Sequence, residues 1–130
     1  MTDGELKKIK HICFNCGAKS LRRDYSYTTW CMHNNRQKMF YSIIGDEAFF
    51  VCYRGVAHIT VVAIAVLQGK RNSGIGSRMM RDIKIVAEEY GISKIRLRAN
   101  IEEGAWKFYH KHGFVIVDTK GKDYEMEWNR

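Results

Sequence analysis

The segment QGKRNSGIG at 68–76 joins a long apolar run to an amphipathic stretch, and its residue types suit the binding of an anion. Glycines at 74 and 76 let the backbone turn tightly and bring its N–H groups close to a ligand. A helix starting there leaves its first N–H groups unpaired and carries partial positive charge at that end, a natural seat for a pyrophosphate. Lys70, Arg71, Arg78, Arg81 and Lys84 crowd the same stretch, with Asp82 the one acidic residue between positions 70 and 84. The competing reading is purely local: the glycines shape a loop and Ser73 caps the helix. The cations favour a polyphosphate. A dinucleotide-binding turn is excluded, because no GxGxxG follows a first strand and the preceding strands look antiparallel.

Three other groups could carry chemistry. Tyr109 lies in AWKFYHKHGF at 105–114; a helical tyrosine among aromatics is by itself more often core than catalyst. His58 is the one titratable side chain in the run VAHITVVAIAV at 56–66. Cys13 and Cys16, followed by Cys31 and His33 and preceded by His11, could supply four ligands to a structural zinc. One CxxC with an irregular second pair is more often two buried or incidental thiols, so no metal is assigned.

The elements that must position these groups are read from periodicity. MFYSII, AFFVCY and the run at 56–66 form three consecutive antiparallel strands, the third apolar on both faces as a covered central strand is. Residues 74–90 take helical spacing, with Ile75, Met79, Ile83, Val86, Ala87 and Tyr90 on one stripe and Gly91 as the stop. A strand SKIRLRA follows, alternating Ile95, Leu97 and Ala99 with Lys94, Arg96 and Arg98. Asn100 and Glu103 form a capping box for a helix through His112, and FVIVD, TKGKD and YEMEW make a terminal hairpin. The first 38 residues are least legible: a short strand around positions 11–14, then a short helix carrying Tyr25, Thr28, Cys31 and Met32, ended by Asn34 and Asn35. The expected class is α/β, or α+β, in one domain spanning 1–130.

Composition narrows the function classes. With 45% apolar and 28% charged residues the chain is an ordinary globular one, and no apolar stretch is long enough to cross a membrane. A polar start and four cysteines read as reduced thiols point to the cytoplasm. The net charge of +8 calls for an anionic partner without choosing among nucleic acid, membrane and a phosphorylated cofactor.

The sequence resembles the GNAT superfamily of acetyl-CoA-dependent N-acetyltransferases. Its Arg-x-x-Gly-x-Gly signature stands as Arg71, Asn72, Ser73, Gly74, Ile75 and Gly76, with the apolar strand Ile64, Ala65 and Val66 entering it and Ser77 after it. Ala105, Phe108, Tyr109, Gly113 and Phe114 match the family's Ala-x-x-Leu-Tyr and Gly-Phe pattern, with Phe108 for leucine. Glu102 stands where the family has an asparagine that contacts the cofactor. The resemblance covers about the last 90 residues and implies a mixed, mostly antiparallel central sheet flanked by helices.

It further implies acetyl-CoA as cosubstrate, with the pantetheine arm along 64–66 and the pyrophosphate on 71–77. Tyr109 then protonates the departing CoA sulfur and a backbone N–H near Val66 polarises the acetyl carbonyl. His58 is a candidate base, with Glu47, Glu102 or a water chain as rivals. The expected acceptor is an amine on a small molecule or a protein, and a homodimer is compatible. Two other readings stay open: a basic nucleic-acid-binding or zinc-containing interaction module, and a catalytically silent acetyl-CoA-binding protein. No nucleic-acid motif accompanies the charge.

Overall fold

The computed structural model describes residues 1–34 and 36–130. Thr2 opens the chain's first helix, α1 (Asp3–Asn15). The Thr2 hydroxyl accepts from the Glu5 N–H at 3.1 Å, and the Glu5 carboxylate accepts from the Thr2 N–H at 2.9 Å. Two otherwise orphaned donors are thereby satisfied. Ile9, Ile12 and Cys13 form the buried stripe of this helix, so the strand expected around 11–14 is a helix. Short α2 (Lys19–Arg23) and α3 (Tyr25–Asn34) follow. Helix α3 carries the stripe expected of it, burying Thr28, Cys31 and Met32; its other proposed stop, Asn35, lies outside the described residues.

A 3-10 turn leads into β1 (Met39–Ile44), β2 (Ala48–Arg54) and β3 (Ile59–Val66). The third strand starts at Ile59 rather than at position 56, and Val56 is 97% exposed in the preceding turn. Helix α4 (Ile75–Glu89), β4 (Lys94–Asn100), α5 (Trp106–Lys111), β5 (Val115–Lys120) and β6 (Asp123–Asn129) complete the chain. The six strands form one sheet in the order β1-β2-β3-β4-β6-β5. All pairings are antiparallel except β3 with β4.

Each face of the sheet has its own apolar layer. On one, Met79, Met80, Ile83 and Ala87 of α4 pack with Phe50, Ile59, Val61, Ile95, Leu97 and Phe114. On the other, Ile9, Ile12, Cys13 and Cys16 cover Phe49, Val51, Ala63 and Ala65. The apolar character of β3 on both faces follows from this double cover.

Strand β3 also changes parity. Val51 pairs with Ala63 and Cys52 with Val61, leaving Val62 as an extra residue. Before this bulge Ile59 and Val61 face α4, and after it Ile64 and Val66 do, while Val62 and Ala63 both turn to the α1 side. An extra residue bends and twists the strand that carries it.

Candidate active site

Strands β3 and β4 run parallel but pair only at their beginnings, Ile59 with Ile95 and Thr60 with Arg96. The bulge at Val62 comes directly after the last pair, and from there the two strands have no register. Residues 61 and 63–66 of β3 are paired with β2 on one edge, and on the other they present main-chain N–H and C=O groups to a cleft. Such groups need partners, and an extended ligand lying between the strands could supply them.

At the C-terminal end of β3, residues 67–74 lead into α4. Gly74 takes the N-cap position in the left-handed conformation (φ 86°), with no side chain capping the helix. The first helical bond there runs from Arg78 N–H to the Gly74 carbonyl at 3.1 Å, so the N–H groups of the first turn are free to hold an anion. The contrast with α1, capped twice by its own residues, is plain. Ser73 does not cap α4, since its hydroxyl donates to the Lys70 carbonyl at 2.6 Å. A Cβ at Gly74 would meet nothing within 4 Å, whereas one at Gly76 would stand 3.1 Å from the Phe108 ring. Gly74 is thus favoured by its φ and Gly76 by the close approach of the Phe108 ring.

The cations expected around the turn are dispersed. Lys70 lies 3.5 Å from Glu47. Arg71 donates to the Cys16 carbonyl at the end of α1, tying the loop to the N-terminal helix. Arg81 and Lys84 lie farther down α4, on the wall of an open groove of about 480 Å³.

Tyr109 sits on α5, partly buried, with ring centroids of Phe108 at 5.5 Å and Phe114 at 6.1 Å. Its phenol is held well above the ordinary tyrosine range, first by burial and then by the charge of Glu103. It therefore stays protonated across the physiological range. Its hydroxyl has no hydrogen-bond partner among the described residues.

His58 is not brought together with these groups. It stands just before β3, and at about 3.3 Å per residue it is roughly 26 Å along the strand from Val66. Burial, Arg96 and Lys94 lower its pKa, partly opposed by Glu127. Glu47 is at the correct end but beside β2, where Lys70 holds it.

The expected capping box is a different structure. The Asn100 side-chain oxygen accepts from the N–H groups of Glu102 (3.0 Å) and Glu103 (3.2 Å), closing a turn at the end of β4, and α5 begins only at Trp106. Glu102 is exposed on this turn. Glu103 instead accepts from the Ser20 N–H and hydroxyl at 2.8 and 2.7 Å, fastening α2 to the rim of the cleft. Sequence reasoning missed this link, as it did the approach of His112 Nε2 to Ser77 Oγ at 3.1 Å. A histidine directly before Gly113 and Phe114 was the available signal for the second; nothing local signalled the first.

Cys13 on the buried face of α1 and Cys16 at its C-terminal end are both buried, and burial with the neighbouring Cys16 pushes the Cys13 thiol up to about 12. His33 is exposed at the end of α3. Among the described residues no three His, Cys, Asp or Glu side chains group as metal ligands do, and no helix is long and apolar enough to cross a membrane.

The glycine turn between β3 and the uncapped start of α4 lies where the resemblance puts the Arg-x-x-Gly-x-Gly signature, and the splay of β3 from β4 beside it is an addition that the structure makes. The family model described as an acetyltransferase (GNAT) domain matches residues 26–116. The chain belongs to the GNAT acetyltransferase family. Among solved structures, this GNAT domain is similar to the PaiA N-acetyltransferase of Thermoplasma acidophilum in complex with coenzyme A (TM-score 0.82, 15% identity, 100% of this chain and 96% of that one). It is also similar to the ribosomal-protein-S18-alanine N-acetyltransferase of Escherichia coli (TM-score 0.75, 15% identity, 99% and 90%). An aminoglycoside 6'-N-acetyltransferase complexed with coenzyme A gives a TM-score of 0.76 at 13% identity, over 98% and 92%. No curated protein sequence matches the chain. At these identities the likeness is one of fold: a six-stranded, mostly antiparallel sheet with flanking helices.

Proposed function

We propose that this GNAT domain transfers the acetyl group of acetyl-CoA directly to a primary amine. The observation that carries the reading is the juxtaposition of the cleft between β3 and β4 with the uncapped first turn of α4. A ligand with a pyrophosphate and an amide-bearing arm has both of its needs met there. The pyrophosphate accepts from the free N–H groups of 74–77, and the arm lies along the open edge at Ile64, Ala65 and Val66. Arg71, Asn72 and Ser73 shape the loop, and Ile75 opens the helix. Two of the structures of the same fold hold coenzyme A, and the three described are N-acetyltransferases by name.

The neutral amine attacks the acetyl carbonyl, a backbone N–H near Val66 steadies the developing oxyanion, and the C–S bond breaks. Tyr109 gives its proton to the departing thiolate, for which a phenol kept protonated is suited. Strand β3 carries no ionisable side chain, and His58 is too distant, so the proton of the amine leaves through water, with the exposed Glu102 on the turn after β4 as a carboxylate that could take it up. The acceptors named for the similar structures differ among themselves, so the fold does not choose one. The deciding experiment incubates the full chain with acetyl-CoA and separate panels of polyamines, aminoglycosides, peptide N-termini and lysine peptides, following free thiol. Amine-dependent CoA release supports the proposal; CoA binding without release on any panel would favour the silent, acetyl-CoA-binding alternative.

A further inference from the structure

The groove of about 480 Å³ beside α4 is a site the acetyl-transfer reading leaves unused except at its end. Ser77, Arg81, Lys84, His112, Trp128 and Arg130 line it. Two of the cations are fixed by main-chain carbonyls. Lys84 Nζ donates to the His112 carbonyl at 2.7 Å and stands 5.0 Å from the Trp128 ring centre. Arg130 donates through Nη2 to the Ile92 carbonyl at 3.1 Å. Among the described residues none of Arg81, Lys84 and Arg130 is ion-paired with a carboxylate, and the one acidic side chain on the wall is Glu88, one turn of helix beyond Lys84. The wall also carries apolar surface, Trp128 and the 46% exposed Ile85.

We infer that this groove binds a phosphate monoester, the dianion meeting Arg81, Lys84 and Arg130 while its carbon skeleton lies on Trp128 and Ile85. Three cations lining one groove exceed what a carboxylate needs and suit a dianion. Side chains already held in place lose little freedom on binding. His112 reports the same imbalance: burial, then Lys84 and Lys111, lower its pKa, and burial lowers that of Lys84. A bound dianion opposes those effects and raises the titration midpoint of His112. The charged groups around that ring are Lys84, Arg81 and Glu88 from α4, Lys111 beside it and Arg130 after β6, with Ser77 Oγ as its polar neighbour.

The ester has two sources. Arg81 is one turn below Ser77, roughly 6 Å along the helix, within reach of the ribose phosphate of a CoA seated on the α4 start; this source rests on the proposed function. The other is a separate phosphorylated metabolite, which does not.

The experiment follows the His112 ring by NMR in the full chain, with inorganic phosphate, CoA and dephospho-CoA as probes, and repeats the binding by calorimetry. The exposed Arg81→Glu is the variant, since its fold is not at risk; Arg81→Gln with Lys84→Gln is the second. Affinity for CoA about 10-fold above dephospho-CoA, a gap that closes in Arg81→Glu, supports the site and identifies the ribose phosphate. Equal affinities, with inorganic phosphate raising the His112 midpoint in CoA-loaded protein but not in the variant, support a separate phosphate ester. If CoA does not bind at all while phosphate moves His112, the acetyl-transfer reading fails and the groove stands. An unmoved His112 together with equal CoA and dephospho-CoA affinities overturns the inference.

Discussion

Replacing Tyr109 by Phe separates chemistry from structure cleanly, because the hydroxyl has no partner among the described residues and the ring keeps its contacts with Phe108 and Phe114. A hydroxyl that makes no hydrogen bond contributes little to folding, and its loss from a partly buried position is neutral or slightly stabilising. Thermal unfolding of the variant should therefore lie within about 0.5 kcal/mol of the parent, as for a substitution that breaks no interaction. Turnover is another matter. A general acid accounts for roughly 10²- to 10⁴-fold, and the interaction is made only as the C–S bond breaks, so kcat falls while the affinity for acetyl-CoA is kept. The raised pKa of the phenol adds a second expectation: its deprotonation produces no alkaline loss of activity below about pH 10, the ordinary tyrosine value. Steady-state kinetics from pH 6 to about 9.5 with calorimetry on both proteins decides it. Equal turnover at every pH refutes the acid assignment; lost affinity with unchanged turnover makes Tyr109 a binding residue.

Thr2→Ala removes one half of the α1 capping box and should cost about 1 kcal/mol in denaturant unfolding, in the range for lost N-caps; no change would mean that this end of α1 contributes nothing to stability. His58 and His112 both have folded-state pKa values below the ordinary histidine range, chiefly through burial. The unfolded chain then binds more protons as the pH falls through about 6.5, so stability present near pH 7.5 declines toward pH 5. Chemical denaturation across that window, in the parent and in His58→Gln with His112→Gln, should show the slope flattened in the variant; an unchanged slope assigns it to other groups.

The parts of this protein that could be read from sequence are those where one pattern dominates. The alternation of Ile95, Leu97 and Ala99 gave β4, the stripe of Met79, Ile83 and Ala87 gave α4, and the glycine turn lay where strand meets helix. The N-terminal helix was legible in principle: Thr2 and Glu5 stand at capping-box spacing and Ile9, Ile12 and Cys13 lie on one face. The exposed Lys7, Lys8 and Lys10, which surround Ile9 in sequence but lie off that face, hid it. Other features leave no local trace. The bulge at Val62 is silent because β3 is apolar on both sides, so a parity change alters nothing visible. The insertion of β6 between β4 and β5 is a matter of tertiary pairing. Asn100 and Glu103 had the spacing of a cap, yet Glu103 is spent on Ser20, some eighty residues earlier in the chain. The cations near the glycine turn read as one cluster in sequence, because helical rise and the ion pair with Glu47 cannot be seen in a list of charges.

The central claim is that the uncapped start of α4 holds the phosphates of CoA, and Gly74 tests it most directly. A side chain there meets no atom within 4 Å, so the fold bears only the strain of a left-handed residue, about 1–2 kcal/mol and less for Asn. Gly74→Asn and Gly74→Asp differ by one charge. Calorimetric titration with CoA should find binding to the parent, binding to the Asn variant within about tenfold, and binding to the Asp variant weaker by a further 100-fold or so, as a carboxylate facing phosphate demands. Equal affinities of the Asn and Asp variants, or no binding by the parent, would contradict the account.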